Sequence, residues 1–400
     1  MLEKFNLKHD MLLKYEETAL EAYAENKYRF SKEYIMKKIN EAKLTPGHKK
    51  LLADFLDFAH KDDDIIKFMW LYYFFQFETS ECFLDNMWEG GLDDVPVPDL
   101  CEKKFPGALK SVVYLAASDH LKEYLGRKNI SGSHIEDYYD NYKRFADLNI
   151  VTHNTYGLCR LAPFVYAYAY PFIINAGRFR FQITHFKDYC EVYEDKDGKR
   201  IIVATPIYSY DKKGLRDENS SFFPVYEIKN GILKAHTFDS IGRLCESPIE
   251  IDLSRNKKIL SKEDLVATIH IPAGGRLSDE TVDSSLAEAR EAMPKIFTDY
   301  DIRAIVCQTW FLDTQLREIL PPESNMIKFQ KRFDLVMAAD NKNHSLFDHI
   351  FNVKPTSLEK LVPKNNFQEI MFKRALKGEK IYWGFGILKE KEAHYDKGTN

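Results

Sequence analysis

The chain has 400 residues, of which 44% are hydrophobic, 30% charged and 14% aromatic, with a formal net charge of -4. That length exceeds what one compact core holds and predicts two domains, while the near-balanced charge argues against a nucleic-acid partner. The apolar runs at 68–77 and 161–174 fall short of the roughly 20 residues a membrane span needs, so no membrane partner is expected. Six scattered cysteines without CxxC spacing, and an N-terminus without an apolar signal core, predict reduced thiols and a cytoplasmic protein.

Residues 1–150 read as a helical domain. Apolar and aromatic residues recur at helical spacing in Lys14–Ala24, Tyr28–Ile39 and Lys50–His60, with Pro46-Gly47 breaking the chain between the last two. Asp62-Asp63-Asp64 reads as helix-start charge rather than a metal site. The following FMWLYYFFQF is apolar nearly all round, as a helix in the middle of a bundle is. Trp88–Pro98, with Gly90 and Gly91, is a loop. Helices over Gly107–Tyr124 and Ser133–Ala146 follow, the second opened by Gly132-Ser133 with Glu136 in a capping-box pattern. Tyr156–Ile174 fits a last helix broken by Pro163 and Pro171.

Residues 151–392 read as a second, strand-rich domain, and 393–400 as a polar tail. Phe179, Phe181 and Ile183 alternate with Arg180, Gln182 and Thr184, predicting a strand with one buried and one polar face. Asp195–Lys199 is a turn, Arg200–Tyr210 a returning strand, and Asn230-Gly231 a hairpin turn between Val225–Ile228 and Ile232–Phe238. Cys245–Leu253 is extended. No internal repeat is evident. Val266–Ile271 is a strand, Gly274-Gly275 a turn, and Ser278 the N-cap of a helix whose face carries Val282, Leu286, Ala289 and Met293. Ile302–Phe311 is the next strand. Short helices at Leu312–Leu320 and Phe367–Leu376, a helix or loop at Asn325–Phe333, and strands at Leu335–Ala339 and Tyr382–Leu388 complete the domain. The fold class is therefore α+β, a helical bundle followed by a mixed sheet. A strand, a glycine turn and a helix N-terminus together gather backbone N–H groups that favour anions; the same order also suits a plain strand-to-helix connection.

HIPAGG (270–275), DSSLAEA (283–289), CQTWFLDTQL (307–316) and PPESNMIKFQKRF (321–333) resemble a bacterial acyltransferase family. Its members pair a helical N-acyltransferase-type domain with a GNAT-like C-terminal domain. The resemblance covers nearly the whole chain and implies acyl-CoA or acetyl-CoA bound between two splayed central strands, Val266–Ile271 and Ile302–Phe311. It places the pyrophosphate at Ala273, Gly274, Gly275, Arg276 and Ser278, on the Asp279–Met293 helix, with the helical domain covering the acceptor site. The turn departs from the usual Q/R-x-x-G-x-G/A loop, and Asp279 and Glu280 oppose a phosphate unless they point outward.

Acyl transfer to an amine needs a base, an oxyanion donor and an acid for the thiolate. His270, beside the turn, is the candidate base or a histidine satisfied within the sheet. Asp313 either orients it or caps the following helix. Backbone N–H groups around Cys307–Thr309 are candidate oxyanion donors. The tyrosine that GNAT enzymes often place after the second strand is missing from 314–333; Ser324 is a replacement or a helix cap. Gln308 and Trp310 belong to the substrate pocket, Trp310 equally to the core. Cys307 reads as structural, and Asp340, His344, Asp348 and His349 fit no metal site. Two functions follow: an acyl-CoA-dependent N-acyltransferase acting on a small-molecule amine, and a catalytically silent GNAT-like protein that binds a ligand or partner. A hydrolase is disfavoured by the absence of GxSxG and HExxH.

Overall fold

The structure, a computed structural model, describes residues 1–79, 95–130, 133–159, 162–272, 274–340, 346–351, 353 and 357–389. Gly90, Gly91, Gly132, Ala273, His344 and the tail at 393–400 lie outside them. The chain divides into two compact units between Ile174 and Asn175.

The first unit carries α1 (Asp10–Asn26), α2 (Lys32–Glu41), α3 (Pro46–Ala59), α4 (Asp63–Phe77), α5 (Asp99–Lys104), α6 (Ala108–Ala116), α7 (Ser118–Arg127), α8 (His134–His153) and α9 (Ala162–Ala169). Pro46 does not break the chain but opens α3, because a first-turn residue needs no N–H for the helix ladder. Asp62 caps α4 by accepting from the Asp64 N–H, and Lys4 pairs with Asp62 and Asp64 at 2.9 and 2.7 Å. The aspartates are helix-start charge. The interior of α4 is buried on almost every side, from Ile65 to Phe77. Gly107–Tyr124 is two helices that meet at Ala117, and Ser133 makes no side-chain cap to α8. Helix α9 packs on α6, α7 and α8, with Phe164 stacked on Phe145 at 5.4 Å. These aromatic contacts keep residues beyond 150 with the helical unit, so the division falls later than the sequence pattern places it.

The second unit is built on a six-stranded sheet of β1 (Ile173–Ala176), β2 (Phe179–His185), β9 (Leu265–His270), β10 (Ile302–Thr309), β12 (Tyr382–Leu388) and β11 (Phe333–Asp340), in that spatial order. The remaining strands, β3 (Cys190–Asp195), β4 (Arg200–Ala204), β5 (Tyr226–Lys229), β6 (Ile232–Ala235), β7 (Ile249–Asp252) and β8 (Asn256–Leu260), form two three-stranded sheets inserted between β2 and β9. Strand β8, in the charged run NKKIL, has no strand signature in the sequence. Asn230 and Gly231 both take positive φ, 51° and 77°, as the β5–β6 hairpin turn requires.

One device recurs in the insert. Asp195 Oδ1 accepts from the N–H groups of Asp197 and Lys199, Asp211 Oδ1 from Lys213 and Leu215, and Asp239 Oδ1 from Ile241 and Arg243. Each aspartate is followed three residues on by a glycine at positive φ, Gly198, Gly214 or Gly242. This is a repeated turn. Its unequal intervals hide it from a search for sequence periodicity.

Strands β9 and β10 are parallel, joined by α10 (Asp279–Ile296), and every other resolved pairing of the large sheet is antiparallel. Helix α10 buries Val282, Leu286, Ala289 and Met293, the face read from the sequence. It packs beside α11 (Asn325–Lys331), whose Phe329 lies 5.8 Å from Phe179. The opposite sheet face meets the insert: Val266, Val306, Phe385 and Ile387 form one buried cluster with Phe186, Val192 and Leu260. Gln182, on the strand face expected to be polar and open, is only 1% exposed. A last helix, α12 (Asn366–Leu376), buries Met371 and Ala375 in a separate cluster with Trp310.

Candidate active site

The β9–β10 ladder runs up to the pair Cys307↔Ile269. Beyond it each strand keeps its outer partner, β9 through His270↔Arg180 and β10 through Gln308↔Phe385 and Thr309↔Gly384. The two central strands therefore part at their C-terminal ends. One cause is visible in the chain. After Thr309 the backbone leaves the sheet in a short 3-10 turn, Trp310–Leu312, which lies over β12. A methyl group at Gly384 would run into the Leu312 carbonyl, so a glycine is needed where the turn crosses the strand.

Opposed residues share a sheet face and successive ones alternate, so His270 and Gln308 flank the opening on the insert-covered face. They have company there. His270 Nε2 lies 2.7 Å from Gln182 Oε1, the Thr184 and Thr268 hydroxyls are 2.6 Å apart, and Gln308 Nε2 donates to the Tyr189 hydroxyl at 3.0 Å. By surface area His270 is only partly buried, but its surroundings are crowded enough that desolvation, helped by the Arg180 charge, pushes its pKa down to about 4. Neighbouring atoms, more than exposed area, set that cost, so the ring is neutral at physiological pH. Burial also raises the Tyr189 hydroxyl above its ordinary value, against the Gln308 hydrogen bond, and keeps it protonated.

The glycine turn sits at the end of β9. Gly274 and Gly275 take φ of 78° and 69°, conformations that side chains with a Cβ rarely adopt. Arg178 braces the turn from β2's lead-in, donating to the carbonyls of Pro272 (2.5 Å) and Gly274, and a Cβ on Gly275 would come within 2.9 Å of its Nε. Arg276 is exposed, and Ser278 caps α10 by accepting from Thr281 N–H. The acids at this helix start are answered. Asp279 pairs with Lys328 at 3.1 Å and Arg332 at 3.0 Å, and Asp283 with Arg332 at 2.6 Å. The Arg332 and Lys328 hydrogen bonds hold the Asp279 carboxyl below its usual range. Cations from α11 thus offset the charge that opposes a phosphate at this N-terminus.

Other sequence candidates lie elsewhere. Asp313 is 2% exposed and caps a 3-10 turn at Thr314–Glu318, accepting from Gln315 N–H and Tyr382 N–H at 3.0 Å each. Its carboxylate bonds to those groups and not to His270, and burial pushes its pKa up to about 6. It borders a small crevice with Arg374 and Lys380. Ser324 caps α11, accepting from Ile327 N–H. Trp310 is core, stacked on Phe367 at 6.1 Å. Cys307 is buried, its thiol pushed well up and directed at the Ile269 carbonyl. No group of three or more His, Cys, Asp or Glu placed to hold a metal occurs among the described residues.

A family model described as the GNAT-like C-terminal domain matches residues 173–388. The chain belongs to this GNAT-like family. Its GNAT-like sheet is the one that parts at Cys307 and Ile269. Similar solved structures include an acyltransferase in complex with decanoyl-CoA, 13% identical, aligned over 89% of this chain and 87% of that one with a TM-score of 0.55. An acyltransferase in complex with decanoyl-CoA and teicoplanin is 14% identical, aligned over 89% and 88%, TM-score 0.55. An acyltransferase mutant in complex with octanoyl-CoA is 14% identical, aligned over 88% and 86%, TM-score 0.55. At that identity the likeness is one of fold. No curated protein matches the chain. No helix among the described residues is long and apolar enough to cross a membrane.

Of the expected site residues, His270 and Gln308 lie just beyond the last β9–β10 pair, and Gly274, Gly275, Arg276 and Ser278 lie in the connection from β9 to α10. Asp313, Ser324 and Trp310 are engaged in caps and core. Gln182, Tyr189 and Arg178 were not singled out by sequence. Gln182 carried a usable signal, a polar position directly across the strand pair from Thr268 and beside His270. Tyr189, in a turn before β3, carried none.

Proposed function

We propose that the protein is an acyl-CoA-dependent N-acyltransferase that acylates an amine of a small molecule in the cytoplasm. The observation that carries this reading is the parting of β9 and β10 directly before His270 and Gln308. In such a gap the thioester lies between the strands, and its pyrophosphate rests at Gly274, Gly275, Arg276 and Ser278, where α10 begins. The ligands of the fold relatives, decanoyl-CoA and octanoyl-CoA, make medium-chain thioesters the first donors to try. Their acceptor complex with teicoplanin makes an amine on a small natural product a reasonable acceptor class.

The chemistry follows from the floor of the gap. Neutral His270 takes the proton of the amine as nitrogen attacks the thioester carbonyl. Backbone N–H groups of β10 beyond Cys307, released from β9, stabilise the oxyanion. The C–S bond breaks, the amide forms, and the proton passes from His270 to the CoA sulfur. Tyr189, protonated and accepting from Gln308, supplies a hydrogen bond to that sulfur; it takes the place proposed for Ser324, whose oxygen is engaged at the α11 cap. Asp313 acts at a distance, as a cap that holds the end of β10.

Calorimetry with CoA, acetyl-CoA, octanoyl-CoA and decanoyl-CoA tests the reading. Micromolar binding of at least one acyl-CoA is expected, and no heat from any of them with folded protein would sink it. The second reading, a silent binding protein, is favoured by the atypical turn and by Glu280, an acid in the first turn of α10. Tight acyl-CoA binding without thioester loss on any amine would select it.

A further inference from the structure

Gln182 is buried almost completely, yet it belongs to the polar row of β2 between Arg180 and Thr184. Its side chain amide is used on one side only. Oε1 meets His270 Nε2 at 2.7 Å, whereas Nε2 is buried without a hydrogen-bond partner among the described residues. An amide oxygen only accepts, so this contact requires the proton of the neutral imidazole to sit on Nε2 and the lone pair on Nδ1. A buried N–H left unpaired is costly, and an amide turned the other way would leave an oxygen unpaired instead. The side chain therefore lacks one acceptor, beside the His270 ring.

We propose that Gln182 is the positioning residue of the site: its oxygen fixes His270 as the Nε2–H tautomer with Nδ1 as the base, and its amide N–H donates to an oxygen of the bound substrate. This rests on His270 being the base of the proposed acyl transfer. The pairing accounts for two facts together, a glutamine kept in a covered sheet face and a donor left open inside it. Arg180, directly across from His270 on β2, is a charged group that disfavours the imidazolium.

The test begins with the unmodified protein. Long-range proton–nitrogen correlation on 15N-histidine-labelled protein is expected to show His270 as neutral Nε2–H at pH 7; an Nδ1–H tautomer overturns the proposal without any variant. Gln182→Met keeps the side chain's length and removes both polar atoms. It is expected to abolish the tautomer preference and lower kcat by about tenfold or more, with KM for acyl-CoA nearly unchanged. Gln182→Glu keeps the acceptor and removes the donor, so the Nε2–H form is retained while kcat remains low. Its carboxylate also raises the acid limb of the kcat/KM profile by about one pH unit or more. A folded Gln182→Met protein with wild-type kcat overturns the proposal. Failure of every acyl-CoA to bind removes the transfer reading itself, an outcome told apart because the tautomer measurement needs no substrate.

Discussion

Around Val266, Val306, Phe385 and Ile387 the insert-covered face of the large sheet is a dry core, closed by Phe186, Val192 and Leu260. On the same face lie Thr184, Thr268, Gln182, His270 and Gln308, in short hydrogen-bonded contacts. The two sets share strand levels: Thr184 lies opposite Val266, Thr268 opposite Val306, and Gln308 opposite Phe385. The comparison teaches that one sheet face interleaves an apolar set that holds it together with a polar set available for chemistry.

The strongest way to break that division is to exchange its consequences. His270→Ala is expected to lower acyl transfer by about 10²- to 10⁴-fold, the usual worth of a positioned general base, with little change in melting temperature. Ile387→Ala is expected to destabilise the fold by about 2–5 kcal/mol while the folded fraction keeps its turnover number. Thermal melts paired with single-turnover assays read both. Loss of chemistry in folded Ile387→Ala, or unfolding of His270→Ala, would erase the distinction between the two sets.

A smaller effect sharpens the boundary at the glycine turn. Arg332 pairs with both Asp279 and Asp283 at the start of α10. Arg332→Gln leaves Asp283 without this partner and Asp279 with Lys328 alone. The Kd for acyl-CoA is then expected to rise about two- to fivefold at low salt. An acyl-pantetheine, which lacks the pyrophosphate, should bind Arg332→Gln and wild type alike. Equal weakening for both thioesters would place the phosphates elsewhere.

The smallest effect is on stability against pH. The folded pKa of His270 is lowered to about 4 by burial, against about 6.5 in an unfolded chain. Between those values the unfolded state takes up a proton that the folded state refuses, so stability falls as pH falls from 6.5 toward 4. Asp313, raised to about 6 by burial, contributes with the opposite sign across much of the same window. Comparing melts of wild type and His270→Ala at pH 6.5 and 4.5 cancels the aspartate. The wild type is expected to lose more stability on acidification, and equal losses would mean that His270 is not held neutral.

Much of this division was legible in the sequence, for identifiable reasons. The strand, glycine turn and amphipathic helix from 265 to 296 are local patterns, and β9, Gly274, Gly275, the Ser278 cap and the buried face of α10 appear where the residues place them. Helical periodicity likewise marked most of the first unit. Long-range facts were not legible. Gln182 meets His270 across 88 positions of chain, and Tyr189 meets Gln308 across 119. The roles offered for Asp313 and Ser324 foundered on capping, an alternative that competes with catalysis for the same oxygen atoms. The acids of α10 illustrate the opposite case. Their charge was plain from sequence, but its neutralisation comes from α11.

The insert begins and ends at one place. Phe186 N–H donates to the Asp264 carbonyl at 2.9 Å, and the adjoining pair is His185↔Leu265. In connectivity, β2 and β9 are thus a hairpin whose turn has been exchanged for an entire small β module. Closing a longer loop costs the large sheet little, because that entropy grows only with the logarithm of length. The module also brings its own local order through the aspartate–glycine turns. Sheet and insert are therefore separable inheritances: residues 186–264 can change length and composition while His270 and Gln182 stay where the sheet holds them.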